Sequence, residues 1–166
     1  MRILLCLLLP FMLAGCGLKP LYAGGTSGAV SQSLGHVEVA PIGGQAGWLV
    51  RNALTDRLAP LSNGGPQYLL KIRLDDRLEG FGLLANDTVS RERRTLRARY
   101  QLVDAATGET VLDATAGSDA GIDVVSSEYA TIAAENTALE NLSREVAEQI
   151  VERLSLFARK RATPNP

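Results

Sequence analysis

In Arg91-Glu92-Arg93-Arg94-Thr95-Leu96-Arg97-Ala98-Arg99-Tyr100-Gln101-Leu102, apolar and basic residues take turns: Leu96, Ala98, Tyr100 and Leu102 share one parity, Arg91, Arg93, Arg97 and Arg99 the other. Successive side chains of an extended strand point to opposite faces, so this pattern describes a long strand with one buried and one wet face. The segment before it repeats the pattern. Tyr68, Leu70, Ile72, Leu74 and Leu78 alternate with Lys71, Arg73, Asp75 and Arg77, after the turn signal Ser62-Asn63-Gly64-Gly65-Pro66. The two runs read as a hairpin. Asp104-Ala105-Ala106-Thr107-Gly108-Glu109 then makes a tight turn into a third strand, Thr110 to Thr115.

Helices flank these strands on both sides. His36 to Ile42 alternates through Val37 and Val39 and suits a short first strand. Gln45 to Leu58 spaces Trp48, Leu49, Asn52, Leu54, Thr55 and Leu58 mostly by three and four, which predicts a helix with these on its buried stripe and ended by Pro60. Gly43-Gly44-Gln45-Ala46-Gly47 lacks the Gly-Lys-Ser/Thr of a phosphate loop and reads as a strand-to-helix turn. From Ser126-Ser127-Glu128 to about Phe157, Ile132, Leu139, Leu142, Val146, Ile150, Leu154 and Phe157 mark the buried stripe of a long helix. Arg159-Lys160-Arg161 complements its negative end.

The expectation is an α+β two-layer sandwich, order β-α-β-β-β-α, with two helices on one face of a four-stranded, mostly antiparallel sheet. The other face then collects Lys71, Arg73, Arg77, Arg91, Arg93, Arg97 and Arg99, a row able to grip phosphate groups. The plainer alternative is a solvated polar face, with Asp75, Glu92 and Asp113 as counterions. Gly80-Phe81-Gly82-Leu83-Leu84 reads as an apolar hairpin tip that either meets a partner or folds back on the core.

The N-terminus carries a different signal. Arg2 precedes the apolar stretch Ile3 to Leu13, too short for the roughly 20 residues of a transmembrane helix, and Leu13-Ala14-Gly15-Cys16 follows. This ending resembles the lipobox of bacterial lipoproteins, whose Cys is acylated and becomes the new N-terminus. Residues 1–15 are thus expected to be a signal peptide, and 16–35 a lipidated Cys16 with a Gly/Ser-rich tether. Residues 36–158 form one α+β domain and 159–166 a basic disordered tail. Acyl chains on Cys16 would hold the protein on a membrane. Gly17 stands where many inner-membrane lipoproteins carry Asp, which directs the expectation to the outer membrane.

Composition removes other classes. Seventeen Lys and Arg against eighteen Asp and Glu give a net charge of -1, so no global field holds nucleic acid. One His and two Cys leave no zinc ribbon and no framework of disulfides, and no metal or cofactor is expected. Catalytic residues are not expected either: Ser27 completes no nucleophile elbow, and Asp75 and Asp76 point to opposite faces of a strand.

The lipobox, the stretch Cys16-Gly17-Leu18-Lys19-Pro20-Leu21-Tyr22 and the order of elements together resemble the LPS-assembly lipoprotein family, LptE. The resemblance implies a non-enzymatic outer-membrane lipoprotein that plugs a large barrel, LptD, assists its assembly and aids lipopolysaccharide delivery to the cell surface. Its partners would be an LptD-like barrel and lipopolysaccharide, whose lipid A phosphates suit the Arg rows. Two alternatives stay open: an auxiliary lipoprotein of an ABC-type lipid transporter, and an extracytoplasmic hydrolase.

Overall fold

Residues 36–58, 65–83 and 89–162 are described by a computed structural model. The expected signal peptide, Cys16 and the expected tether, Leu84 and most of the turn before Gly65 lie outside them. The order is β1 (Val37–Val39), α1 (Gly44–Leu58), β2 (Tyr68–Leu83), β3 (Val89–Asp104), β4 (Thr110–Asp123) and α2 (Glu128–Ala162). One mixed sheet has the order β1-β2-β3-β4. β1 runs parallel to β2, as a β-α-β crossover requires, and the other pairs are antiparallel. The α+β sandwich read from the sequence is the architecture found.

Alternation sets which face is buried. Leu70, Ile72, Leu96, Ala98, Tyr100 and Leu102 are buried and meet Val50, Leu54 and Leu58 of α1 and Leu142, Val146, Ile150 and Leu154 of α2. Each such Leu, Ile or Val side chain removed from water stabilises the fold by about 1.5–3 kcal/mol before chain entropy is charged against it. β2 and α2 match in reach. Sixteen residues of strand and 35 of helix each extend roughly 50 Å.

Local chemistry fixes the joints. The Asp104 carboxylate accepts the N–H groups of Ala106 and Thr107, both at 3.0 Å, and Gly108 supplies the positive φ of 73° that closes the turn. Those two N–H groups hold the Asp104 carboxyl below the usual carboxylate range. At the start of α2 the Ser127 hydroxyl accepts the Ala130 N–H, the role of an N-cap. At its other end Arg161 donates to the Tyr68 hydroxyl at 2.9 Å and stands over the Phe157 ring, which meets Tyr68 edge-on.

Several expectations need correction. The α1 stripe is Gly47, Val50, Leu54 and Leu58, and Trp48, expected in the core, is 63% exposed. A Cβ at Gly47 would sit 2.6 Å from the Ile42 carbonyl oxygen, so the helix docks on its own entry loop and turns Trp48 outward. Ile132 is likewise 47% exposed, on an early turn of α2, whereas the buried stripe passes through Thr131, Ala138 and Leu139. β4 continues from Thr115 to Asp123, and Gly80 to Leu83 belong to β2 rather than to a loop. α2 extends to Ala162, so Arg159, Lys160 and Arg161 form its last turn and not a disordered tail.

Candidate anion-binding face

The outer face of the sheet gathers all seven basic residues singled out above. The pairings Arg73↔Arg99, Asp75↔Arg97, Arg77↔Thr95, Glu79↔Arg93 and Phe81↔Arg91 put the odd positions of β2 and β3 on one side, and Lys71↔Gln101 completes the row. From β4, Asp113, Thr115, Gly117, Asp119, Gly121 and Asp123 share that side. The face is therefore mixed in charge. Against its seven basic side chains stand Glu38, Asp75, Glu79, Asp113, Asp119 and Asp123.

Three of the guanidinium groups are already engaged. Arg77 holds Asp75 at 2.8 Å, Arg91 holds Asp123 at 3.0 Å, and Arg99 donates Nε and Nη2 to the two oxygens of Asp113 at 3.2 and 3.0 Å. Gln101 adds a third donor to Asp113 at 2.9 Å. Arg99 and then Gln101 hold the Asp113 carboxyl below its ordinary range, and Asp113 raises the Arg99 guanidinium in return. Arg93 stacks over the Phe81 ring at 5.2 Å, which uses an otherwise exposed aromatic as its platform.

Lys71, Arg73 and Arg97 form no ion pair among the described residues. Arg73 and Arg97 line an open groove of about 640 Å³ with Asp75, Arg99, Thr115, Gly117 and Gln149. Arg97 lies across β4 where Gly117 offers no side chain: a Cβ there would fall 2.5 Å from Arg97 Cδ. The groove thus brings two uncommitted guanidinium groups beside a third that is only exposed and singly paired, the donor set that suits a phosphate or other oxyanion.

The expected counterions divide. Asp75 and Asp113 serve as foreseen. Glu92 does not: its even position turns it to the inner face, opposite Gly80 and Ile122. There it is pushed above the usual carboxylate range, first by burial and then by the Glu135 carboxylate of α2. Asp123 was missed because β4 was expected to stop at Thr115. Arg94 was also missed; it sits on the inner face, grips Asp76 at 2.9 and 2.7 Å, and donates to the Glu135 carbonyl oxygen at 3.2 Å. Asp75 and Asp76 do lie on opposite faces, one with Arg77 and one with Arg94.

For catalysis the described residues offer little to assemble. His36 donates its Nδ1–H to the Gly65 carbonyl oxygen at 3.2 Å, a link between β1 and the entry to β2. Among the described residues no group of three or more His, Cys, Asp and Glu could hold a metal ion. No described helix is long and apolar enough to cross a membrane.

Comparison with known proteins agrees with this frame. A family model described as LptE, lipopolysaccharide-assembly, matches residues 34–154. A lipoprotein from Caulobacter crescentus has a similar crystal structure, with a TM-score of 0.69 at 24% identity, covering 83% of this chain and all of that one. The rare lipoprotein B from Shewanella oneidensis aligns with a TM-score of 0.58 at 10% identity, over 76% of this chain and 97% of that one. A minor lipoprotein from Acinetobacter baumannii gives 0.57 at 15%, over 73% and 89%. No curated protein sequence matches.

Proposed function

The chain belongs to the LptE lipopolysaccharide-assembly family, and on that footing we propose that it is an outer-membrane lipoprotein, anchored through Cys16, that plugs and assists an LptD-like barrel and binds lipopolysaccharide on the outer face of its sheet. No bond is made or broken in this role. The observation that carries the ligand half of the reading is the groove in which Arg73 and Arg97 stand beside Arg99 without an ion partner among the described residues.

The physical case is one of differential cost. A guanidinium that already holds a carboxylate must surrender that bond to bind a phosphate, whereas Arg73 and Arg97 surrender only water. Paired N–H groups of arginine match phosphate oxygens in the plane, and Gly117 keeps β4 low enough for a headgroup to approach Arg97. The remaining Lys71, Arg77, Arg91 and Arg93 would act as a surrounding positive field and not as direct ligands.

Charge reversal of Arg73 and Arg97 together tests the ligand role. Lipopolysaccharide binding by the full chain should weaken about tenfold or more, with the far-UV circular dichroism unchanged. Unaltered binding would remove the groove from the mechanism. Affinity purification from detergent-solubilised membranes tests the partner: a barrel-sized outer-membrane protein supports the reading, and an inner-membrane permease in its place points to a transporter auxiliary.

A further inference from the structure

The two edges of the sheet are treated differently. On β4, the side-chain amide of Gln149 accepts the Gly117 N–H at 3.0 Å and donates to the Gly117 carbonyl at 3.3 Å, so a helix side chain occupies the place of a next strand. Glu145 accepts the neighbouring Ser118 hydroxyl at 2.6 Å. That edge is closed at its middle. On the β2 side, β1 pairs only with Tyr68, Leu69 and Leu70.

Beyond Leu70 the parity of the free groups follows from the bonds that β1 makes. The Tyr68 N–H donates to His36 O and the Leu70 carbonyl accepts Ala40 N–H, so even residues of β2 aim their backbone groups away from β3. Ile72, Leu74, Asp76, Leu78 and Gly80 therefore present N–H and C=O groups on an open edge, with no partner among the described residues. Pairing with β3 keeps this stretch extended and in unbroken register as far as Phe81. An edge of like charges would repel another strand; this one carries Arg73, Asp75, Arg77 and Glu79, opposite signs that another copy can match.

We infer that β2 pairs antiparallel with β2 of a second copy of this chain across a two-fold axis at Leu78, forming a continuous eight-stranded sheet. The inference goes beyond the proposed role, since it uses the edge of the sheet and not its outer face. Register follows from charge. With Leu78 opposite Leu78, Arg77, which also holds Asp75 of its own chain at 2.8 Å, faces Glu79 of the other copy twice by symmetry, Asp76 faces Gly80 and no like charges oppose. These Arg77–Glu79 positions are non-hydrogen-bonded pairs, where side chains approach most closely. Sliding the axis to Arg77 sets Arg77 against Arg77 and Asp75 against Glu79. Sliding it to Glu79 or Asp75 sets a carboxylate against its own copy. An axis at Asp76 faces two Asp76 residues and drives Gly82 and Leu83 of one copy into the space held by β1 of the other. An axis at Gly80 sets Glu79 against Phe81 and Arg77 against Leu83 and so forms no charge pair, whereas the Leu78 axis also sets the two Leu78 side chains, each 42% exposed in the single chain, against each other.

Sedimentation velocity of the full chain in mild detergent, over a wide concentration range, tests this. A reversible dimer is expected. Arg77→Glu alone and Glu79→Arg alone should each weaken it about tenfold or more, and the double swap R77E/E79R should restore it. Leu78→Pro removes an N–H that points to open solvent in the single chain, so it should weaken the dimer with the fold intact. If that proline variant fails to fold, the charge swap decides. A chain that stays monomeric throughout, or a double swap that does not recover association, overturns the pairing.

Discussion

Gln149 of α2 meets both backbone groups of Gly117, at 3.0 and 3.3 Å, so a single amide ties the long helix to the far edge of the sheet. Gly117 also lies beneath Arg97, which places this tie at the rim of the groove that holds the uncommitted guanidinium groups. Helix, sheet edge and candidate ligand site share one residue.

Gln149→Ala should therefore cost about 1–2 kcal/mol of folding free energy, from two hydrogen bonds of ordinary net worth. Urea unfolding by circular dichroism measures it. The loss should come with greater self-association through β4, because the Gly117 N–H and C=O become available to another strand. Light scattering at fixed protein concentration checks that second effect.

Gly117→Ala separates the groove from the fold. Its new Cβ would meet Arg97 Cδ at 2.5 Å and Arg97 Nη1 at 2.6 Å, so the flexible arginine must swing away, while the Leu96 carbonyl oxygen at 3.0 Å needs only a slight shift. Stability should change by less than about 1 kcal/mol. Lipopolysaccharide binding, if Arg97 contributes to it, should fall severalfold. A binding assay beside a thermal melt distinguishes the two outcomes.

How far the sequence foretold these features depended on the kind of signal. Strict alternation made the faces of β2 and β3 readable, because parity in a strand is set by backbone geometry alone. Parity also contained the correction for Glu92, an even residue in a row whose basic members are odd. The extent of β4 was hidden: Ala114 to Gly121 is rich in small residues with little strand preference, and the segment is held by pairing with β3 instead. Trp48 was misplaced since hydrophobicity cannot distinguish a helix phase fixed by Trp48 from one fixed by Gly47 against Ile42. The ion pairs of Arg94 and Arg91 join β3 to Asp76 and Asp123, far apart in the chain, and required the register to be known.

The inner-face pair Arg94–Asp76, with side chains 14% and 25% exposed, is better protected than Arg77–Asp75, Arg91–Asp123 or Arg99–Asp113. Arg94 donates to both carboxylate oxygens of Asp76 and to the Glu135 carbonyl oxygen, which leaves it well satisfied. Arg94→Ala should cost about 2–4 kcal/mol, because it strands a half-buried carboxylate as well as removing the pair. Asp76→Asn in the same background should recover part of that loss. A double-mutant cycle in urea gives the coupling, and additive losses would show that the two residues act separately.

Glu92 sets the sign of a pH effect at the same end of the sandwich. Burial first, and the Glu135 carboxylate second, raise its folded pKa above the unfolded value. Between those two values the folded chain binds more protons than the unfolded one, so this residue makes stability fall as pH rises through the window. Below the unfolded pKa the penalty is absent; above the folded pKa it is present in full. Asp113 works in the opposite sense, since Arg99 and Gln101 lower its pKa and its contribution is lost as pH falls through the folded value. Glu92→Gln should therefore stabilise the chain at neutral pH and do little in acid, whereas Asp113→Asn should destabilise at neutral pH and converge with the parent in acid. Unfolding midpoints across the acidic to neutral range read both. Equal stabilisation by Glu92→Gln at every pH would mean that its ionisation is not the source of the strain.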